Sequence, residues 1–174
     1  MNQGQGNFAP PVSYAINGGG FDVVSGDFNR DGHPDLAVID ANASVSLILN
    51  QGDGTFGPPE RFYPGPYADT LVVGDFNRDG ALDIVVGTSF SLNVMINQGN
   101  ATFATAVTYS NVATCDYPGR LAVADINDDG YPDIARSCYQ AGAAVAVRIN
   151  QGDGTFGPET TYASGSWPWG RGLC

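Results

Sequence analysis

Two short motifs recur along the chain in step with each other. The first reads DFNRDGHPD from Asp27, DFNRDGALD from Asp75 and DINDDGYPD from Asp125. The second reads NQGQGNFAPP from Asn2, NQGDGTFGPP from Asn50, NQGNATFATA from Asn97 and NQGDGTFGPE from Asn150. The first restarts after 48 and then 50 residues, the second after 48, 47 and 53. Two motifs that keep one phase across 174 residues require one structural unit copied about three and a half times, so the chain is an array of repeats.

Within a unit no stretch places apolar residues at i, i+3, i+4 and i+7 over a helical length, which argues against helix throughout. The second unit shows the layout best. Leu71 to Phe76 reads as an apolar strand, an acidic loop follows, and Asp83 to Gly87 returns; Leu92 to Asn97 and Phe103 to Tyr109 supply a third and a fourth strand. Asp53-Gly54 and Asp153-Gly154 predict two-residue hairpin turns between the last two strands. Pro58, Pro59 and Pro158 fall at the start of the fourth strand, where an outer edge tolerates a missing N–H donor. Four antiparallel strands every ~50 residues make a β-propeller blade. The expected fold is therefore all-β, with residues 1–19 as a leading outer strand, blades over 20–66, 67–113 and 114–163, and 164–174 as the start of a further repeat or a tail. So few blades close no ring, which predicts an incomplete propeller or one completed by another chain, by further sequence or by head-to-tail stacking.

The acidic loop carries the chemistry. In the first copy Asp27, Asn29, Asp31 and Asp35 stand at positions one, three, five and nine, with Gly32 at six. A calcium ion takes about six to eight oxygens from carboxylates, amides and carbonyls, and this alternation turns such groups to one centre, with the carbonyl of His33 at position seven completing the set. The set recurs as Asp75, Asn77, Asp79, the Ala81 carbonyl and Asp83, and as Asp125, Asn127, Asp129, the Tyr131 carbonyl and Asp133. His, Ala and Tyr at position seven share only backbone, so the expected ligand there is a carbonyl. An EF-hand would need a bidentate Glu at position twelve, which is Val38, Val86 or Arg136 here. About three Ca²⁺ per chain are expected. The rival reading is that Asp, Asn and Gly only form turns.

The loop between apolar strands, followed by N-x-G-D-G-T-F-G-x-P, resembles the FG-GAP or VCBS-type repeat of the integrin α-subunit head and of many secreted microbial proteins and lectins. The resemblance covers nearly the whole chain. It implies β-propellers of seven, sometimes six or eight, blades, with calcium in the hairpin loops, in proteins that bind other proteins or glycans outside the cell. The third copy departs with Ile126 for Phe and Asp128 for Arg, and the copy at Asn97 loses the Asp-Gly pair.

Charge narrows the function classes. Eighteen acidic residues face 7 basic ones, a formal charge of −11, which argues against nucleic-acid binding. Every basic residue is Arg, so lysine chemistry is excluded, and the single His33 makes a catalytic triad or a two-histidine zinc site hard to build. No apolar run is long enough to span a membrane as a helix. Cys115 and Cys138 flank the inner hairpin of the third unit and are expected to form a disulfide, with two free thiols as the alternative; Cys174 is left odd. Trp167 and Trp169 are candidates for stacking on a sugar, as are Tyr67, Tyr117 and Tyr139, though such aromatics more often pack between blades. Together these readings describe a non-enzymatic, calcium-binding extracellular or cell-surface module with a binding or adhesion role. Its partners would be copies of itself, the rest of a longer chain, or a protein or glycan ligand. The alternatives are a subunit of a surface filament or tube, a lectin, and an accessory domain of a secreted hydrolase.

Overall fold

Each acidic loop joins two strands that pair antiparallel, and each Asn-Gln-Gly turn returns the chain to a fourth, so every repeat closes on itself as one sheet. The computed structural model describes residues 7, 10–16, 18–88, 90–111, 118–140 and 143–163, with the backbone alone at 118, 138–140, 143 and 144. Blade 1 contains β1 (Gly20–Gly26), β2 (Asp35–Asp40), β3 (Val45–Ile48) and β4 (Glu60–Phe62). Blade 2 contains β5 (Ala68–Gly74), β6 (Asp83–Thr88), β7 (Ser91–Met95) and β8 (Val107–Ser110). Blade 3 contains β9 (Pro118–Ala124), β10 (Asp133–Gln140), β11 (Ala143–Arg148) and β12 (Thr160–Tyr162). Each is a four-stranded antiparallel sheet in sequence order. The fold is all-β, with unclosed propeller-like blades.

The inner strands stand side by side, β1 against β5 and β5 against β9. Blade 2 is covered on both faces, so β6 is buried along its whole length and reads as a continuous apolar run rather than an alternation. Between blades 1 and 2, Phe28, Ile39, Val45 and Leu47 pack against Leu71, Ile84, Val86 and Met95. Between blades 2 and 3, Phe76, Val85, Leu92 and Val94 pack against Ile134 and Phe156. Burying a side chain of this kind stabilises the fold by roughly 1.5–3 kcal/mol, so the blade junctions are the core.

The second junction also holds charge. Register makes Arg136 the counterpart of Val86, Arg148 of Met95 and Glu159 of Ala106. Glu159 accepts from Arg136 Nη2 at 2.6 Å and Nε at 3.1 Å, and lies 3.5 Å from Arg148 Nε. Arg148 donates to Ser110 O across the junction at 2.5 Å and lies over the Tyr109 ring. Three buried ionic groups thus occupy positions that are apolar at the first junction.

One expectation is corrected. The turns contain three residues, not two: Gln51 N–H donates to Thr55 O at 2.9 Å around Gly52, Asp53 and Gly54. Asp53 Oδ1 accepts from both N–H and Oγ1 of Thr55, an Asx-type closure that needs the extra residue and a positive φ at both glycines, 81° and 86°. The divergent copy keeps this turn, with Asn100 in the aspartate's place and Ala101 at φ 63°. Residues 10–16 join no sheet, and most of the remaining expected leading strand falls outside the described residues. The outer strands are also short, three or four residues each.

Candidate functional site

The acidic loops lie at one end of the blades, where β1, β5 and β9 turn into β2, β6 and β10. Each is framed by the same hydrogen bonds. Asp27 accepts from the N–H groups of Asp31 and Gly32 at 3.0 and 2.9 Å. Asn29 Oδ1 accepts from Asp31 N–H at 3.1 Å, and Asp31 Oδ1 accepts from His33 N–H at 2.8 Å. The frame recurs with Asp75, Asn77, Asp79 and the N–H of Ala81, and with Asp125, Asn127, Asp129 and the N–H of Tyr131. Gly32, Gly80 and Gly130 take φ of 84–87°, a left-handed bend that glycine adopts without steric cost.

Position nine has a second task. Asp35, Asp83 and Asp133 are fully buried. Asp35 accepts from Phe28 N–H at 3.0 Å and from Asn50 N–H at 2.8 Å; Asp83 does so from Phe76 and Asn97, and Asp133 from Ile126 and Asn150. The two sequence motifs keep one phase because they touch here. The same asparagines reach the preceding blade: Asn97 Nδ2 donates to Phe28 O and Asn150 Nδ2 to Phe76 O, both at 2.8 Å.

The electrostatics of the loop differ by position. The Asp31 carboxyl is held below the ordinary range by the Asn29 amide and then by His33 N–H. Backbone N–H groups, of Ala81 and Tyr131, are the leading cause of the same shift at Asp79 and Asp129. Burial pushes Asp83 up to about 6, against two lowering hydrogen bonds, and the charges of Asp79 and Asp75 push the same way.

Oxygen donors of this kind, three carboxylates with an amide and a carbonyl, suit a hard cation. Positions one, three and five are joined by hydrogen bonds in every loop, while position nine sits at the loop base. Among the described residues, no three His, Cys, Asp or Glu side chains stand grouped as a ready metal cluster. In each loop the position-three amide donates to the position-five carboxylate at 2.8 Å.

The loops are also tied to each other. Arg30 Nη2 donates to Asp79 O and Oδ1 at 2.8 and 2.9 Å, and Arg78 donates to Gly130 O and lies 4.3 Å over the Tyr131 ring. The signal in the sequence for these ties is the Arg, Arg, Asp pattern at position four, residues 30, 78 and 128. Cys115, Trp167, Trp169 and Tyr117 lie outside the described residues, as do the side chains of Cys138 and Tyr139, and with them the expected disulfide.

A family model described as an FG-GAP-like repeat matches residues 1–38, 27–86 and 75–135. No curated protein matches the chain. Among solved structures, an Agrocybe aegerita lectin that recognises non-reducing terminal N-acetylglucosamine is similar at 23% identity and a TM-score of 0.60, over 78% of this chain and 36% of the lectin's. A Photorhabdus luminescens Tc holotoxin pore is similar at 22% identity and a TM-score of 0.48, over 80% of this chain and 7% of that one. The chain thus spans about a third of the lectin it resembles, and that likeness bears on the fold alone.

Proposed function

The chain belongs to the FG-GAP-like repeat family, and from that premise we propose that it is a calcium-stabilised propeller segment acting as a non-catalytic binding or adhesion module outside the cell. The observation that carries the calcium reading is the threefold repetition of one oxygen-rich loop inside one hydrogen-bond frame. The residues that would hold the ions are Asp27, Asn29, Asp31, Asp35 and the His33 carbonyl, with their counterparts Asp75, Asn77, Asp79, Asp83 and Ala81, and Asp125, Asn127, Asp129, Asp133 and Tyr131. A bound ion would neutralise charge at a tight turn; this chain's own amides already hold the position-one carboxylate in place. Sensor-range and extracellular calcium loops differ by ligand charge and rigidity, and extracellular modules work at about millimolar Kd.

The supported coarse reading is a repeat binding module, and no helix among the described residues is long and apolar enough to cross a membrane. A filament subunit and a hydrolase accessory domain have no feature in their favour beyond the unclosed array. The test is thermal unfolding in 2 mM calcium and in EDTA. A drop in Tm on chelation, restored by calcium, supports the reading, and an unchanged Tm overturns it.

A further inference from the structure

Opposite the acidic loops, at the start of the inner strands, three bulges meet. β1 pairs Gly20 with Asp40 and Asp22 with Ile39, leaving Phe21 as the extra residue. β5 does the same with Asp69, between Ala68 and Thr70. β9 pairs Pro118 with Cys138 and Leu121 with Arg136, so Gly119 and Arg120 oppose one residue. In a regular strand neighbouring side chains point to opposite faces, and a bulge re-aims one of them. Here the neighbours Phe21 and Asp22, Asp69 and Thr70, and Gly119 and Arg120 all line one open cavity of about 390 Å³.

The cavity holds groups of opposite charge, Asp69 and Arg120, that make no hydrogen bond or ion pair through their side chains among the described residues. Asp22 is committed, accepting from Thr70 Oγ1 at 3.0 Å and Leu71 N–H at 3.1 Å. Asp69 and Arg120 face the same space, yet no ion pair joins them. Burial raises the Asp69 carboxyl above its ordinary range. Phe21 offers a ring that is 68% exposed. Two residues before Asp69, Tyr67 takes φ 61°, rare for an aromatic residue. Its ring packs edge-on against Phe90 at 5.8 Å, with both rings about two-thirds exposed.

We infer that this bulge-built mouth is a saccharide site, in which Phe21 takes the C–H face of a neutral pyranose while Asp69 accepts from, and Arg120 donates to, its hydroxyls. A polyol carries donors and acceptors on one ring, so it can satisfy both held-apart charges at once, and an aromatic face suits its axial C–H groups. The net charge of −11 disfavours acidic sugars. The site rests on the reading of the chain as a binding module and is independent of the calcium loops.

The test is saturation-transfer NMR and calorimetry of the calcium-loaded chain with the methyl glycosides of glucose, galactose and mannose. Saturation transfer to the ring protons of at least one, with affinity lowered about tenfold in Phe21→Ala and in Asp69→Asn, supports the site. Both variants must keep the wild-type Tm and calcium stoichiometry, so that a folding defect is told apart; Asp69→Asn keeps the shape. Absence of transfer from all three glycosides overturns the saccharide assignment and leaves the calcium-module reading intact. Binding that survives both substitutions overturns the location.

Discussion

Replacing Asn150 by alanine tests the link between motif phase and blade stacking. Asn150 is 2% exposed. Its Nδ2 donates to Phe76 O at 2.8 Å and to Pro132 O at 3.0 Å, and its Oδ1 accepts from Gly152 N–H at 2.9 Å. Alanine keeps the backbone bond to Asp133 and removes those three. At ~1 kcal/mol per bond, with the orphaned junction carbonyl adding to the loss, the substitution destabilises by about 3 kcal/mol. At the same motif position Asn97 makes three equivalent bonds, but Phe28 O also receives Ala101 N–H at 3.1 Å, so Asn97→Ala should cost about 2 kcal/mol. Among the described residues Asn50 bonds only within its own blade, to Pro34 O and Gly52 N–H, at an exposed edge, and its loss should cost about 1 kcal/mol. For a chain of this size each kcal/mol moves Tm by roughly 2–4 °C. Thermal melts followed by circular dichroism, at fixed calcium, should therefore rank the variants Asn150, Asn97, Asn50. Equal losses at Asn50 and Asn150 would refute the inter-blade role, because the turn bonds are common to both.

Glu159→Ala leaves Arg136 and Arg148 buried without a carboxylate and should destabilise by about 3–5 kcal/mol in urea unfolding. The triple change Arg136→Val, Arg148→Met and Glu159→Ala installs the apolar set of the first junction, and should be neutral or stabilising by about 1–4 kcal/mol; a large loss would mean the triad is indispensable to the junction. Arg30→Ala removes an ion pair whose partners are 42% and 40% exposed, so urea midpoints should fall by no more than ~1 kcal/mol and the difference should fade in high salt. Chelation should lower stability by about 2.7 kcal/mol for each loop filled at a hundredfold excess over its Kd, read as a calcium-dependent Tm.

Blade architecture was legible because a repeat writes its pattern more than once: the strand at Asp83–Thr88 is apolar at nearly every residue, as burial on both faces demands. The recurrence of one loop frame, with its glycine bend at position six, was legible from spacing alone. Less visible was anything that depends on a neighbouring blade. Asn97 and Asn150 look like turn residues until their amides are seen crossing to Phe28 and Phe76. Arg136 and Arg148 break the apolar pattern of their strands, and only the junction reveals Glu159 as their partner. The turn length was misread because Asp-Gly favours a two-residue hairpin, whereas the Asp53 bond to Thr55 selects a longer one. The bulges at Phe21 and Asp69 leave no mark in the sequence, since an extra residue in a strand alters register and not composition.

The account turns on the three loops, and native mass spectrometry of the chain with and without calcium tests it most directly. The predicted result is three bound Ca²⁺ per chain, falling to two when Asp79→Ala and Asp75→Ala are made together in the middle loop. A chain that stays metal-free in millimolar calcium would contradict it and return the loops to the status of turns.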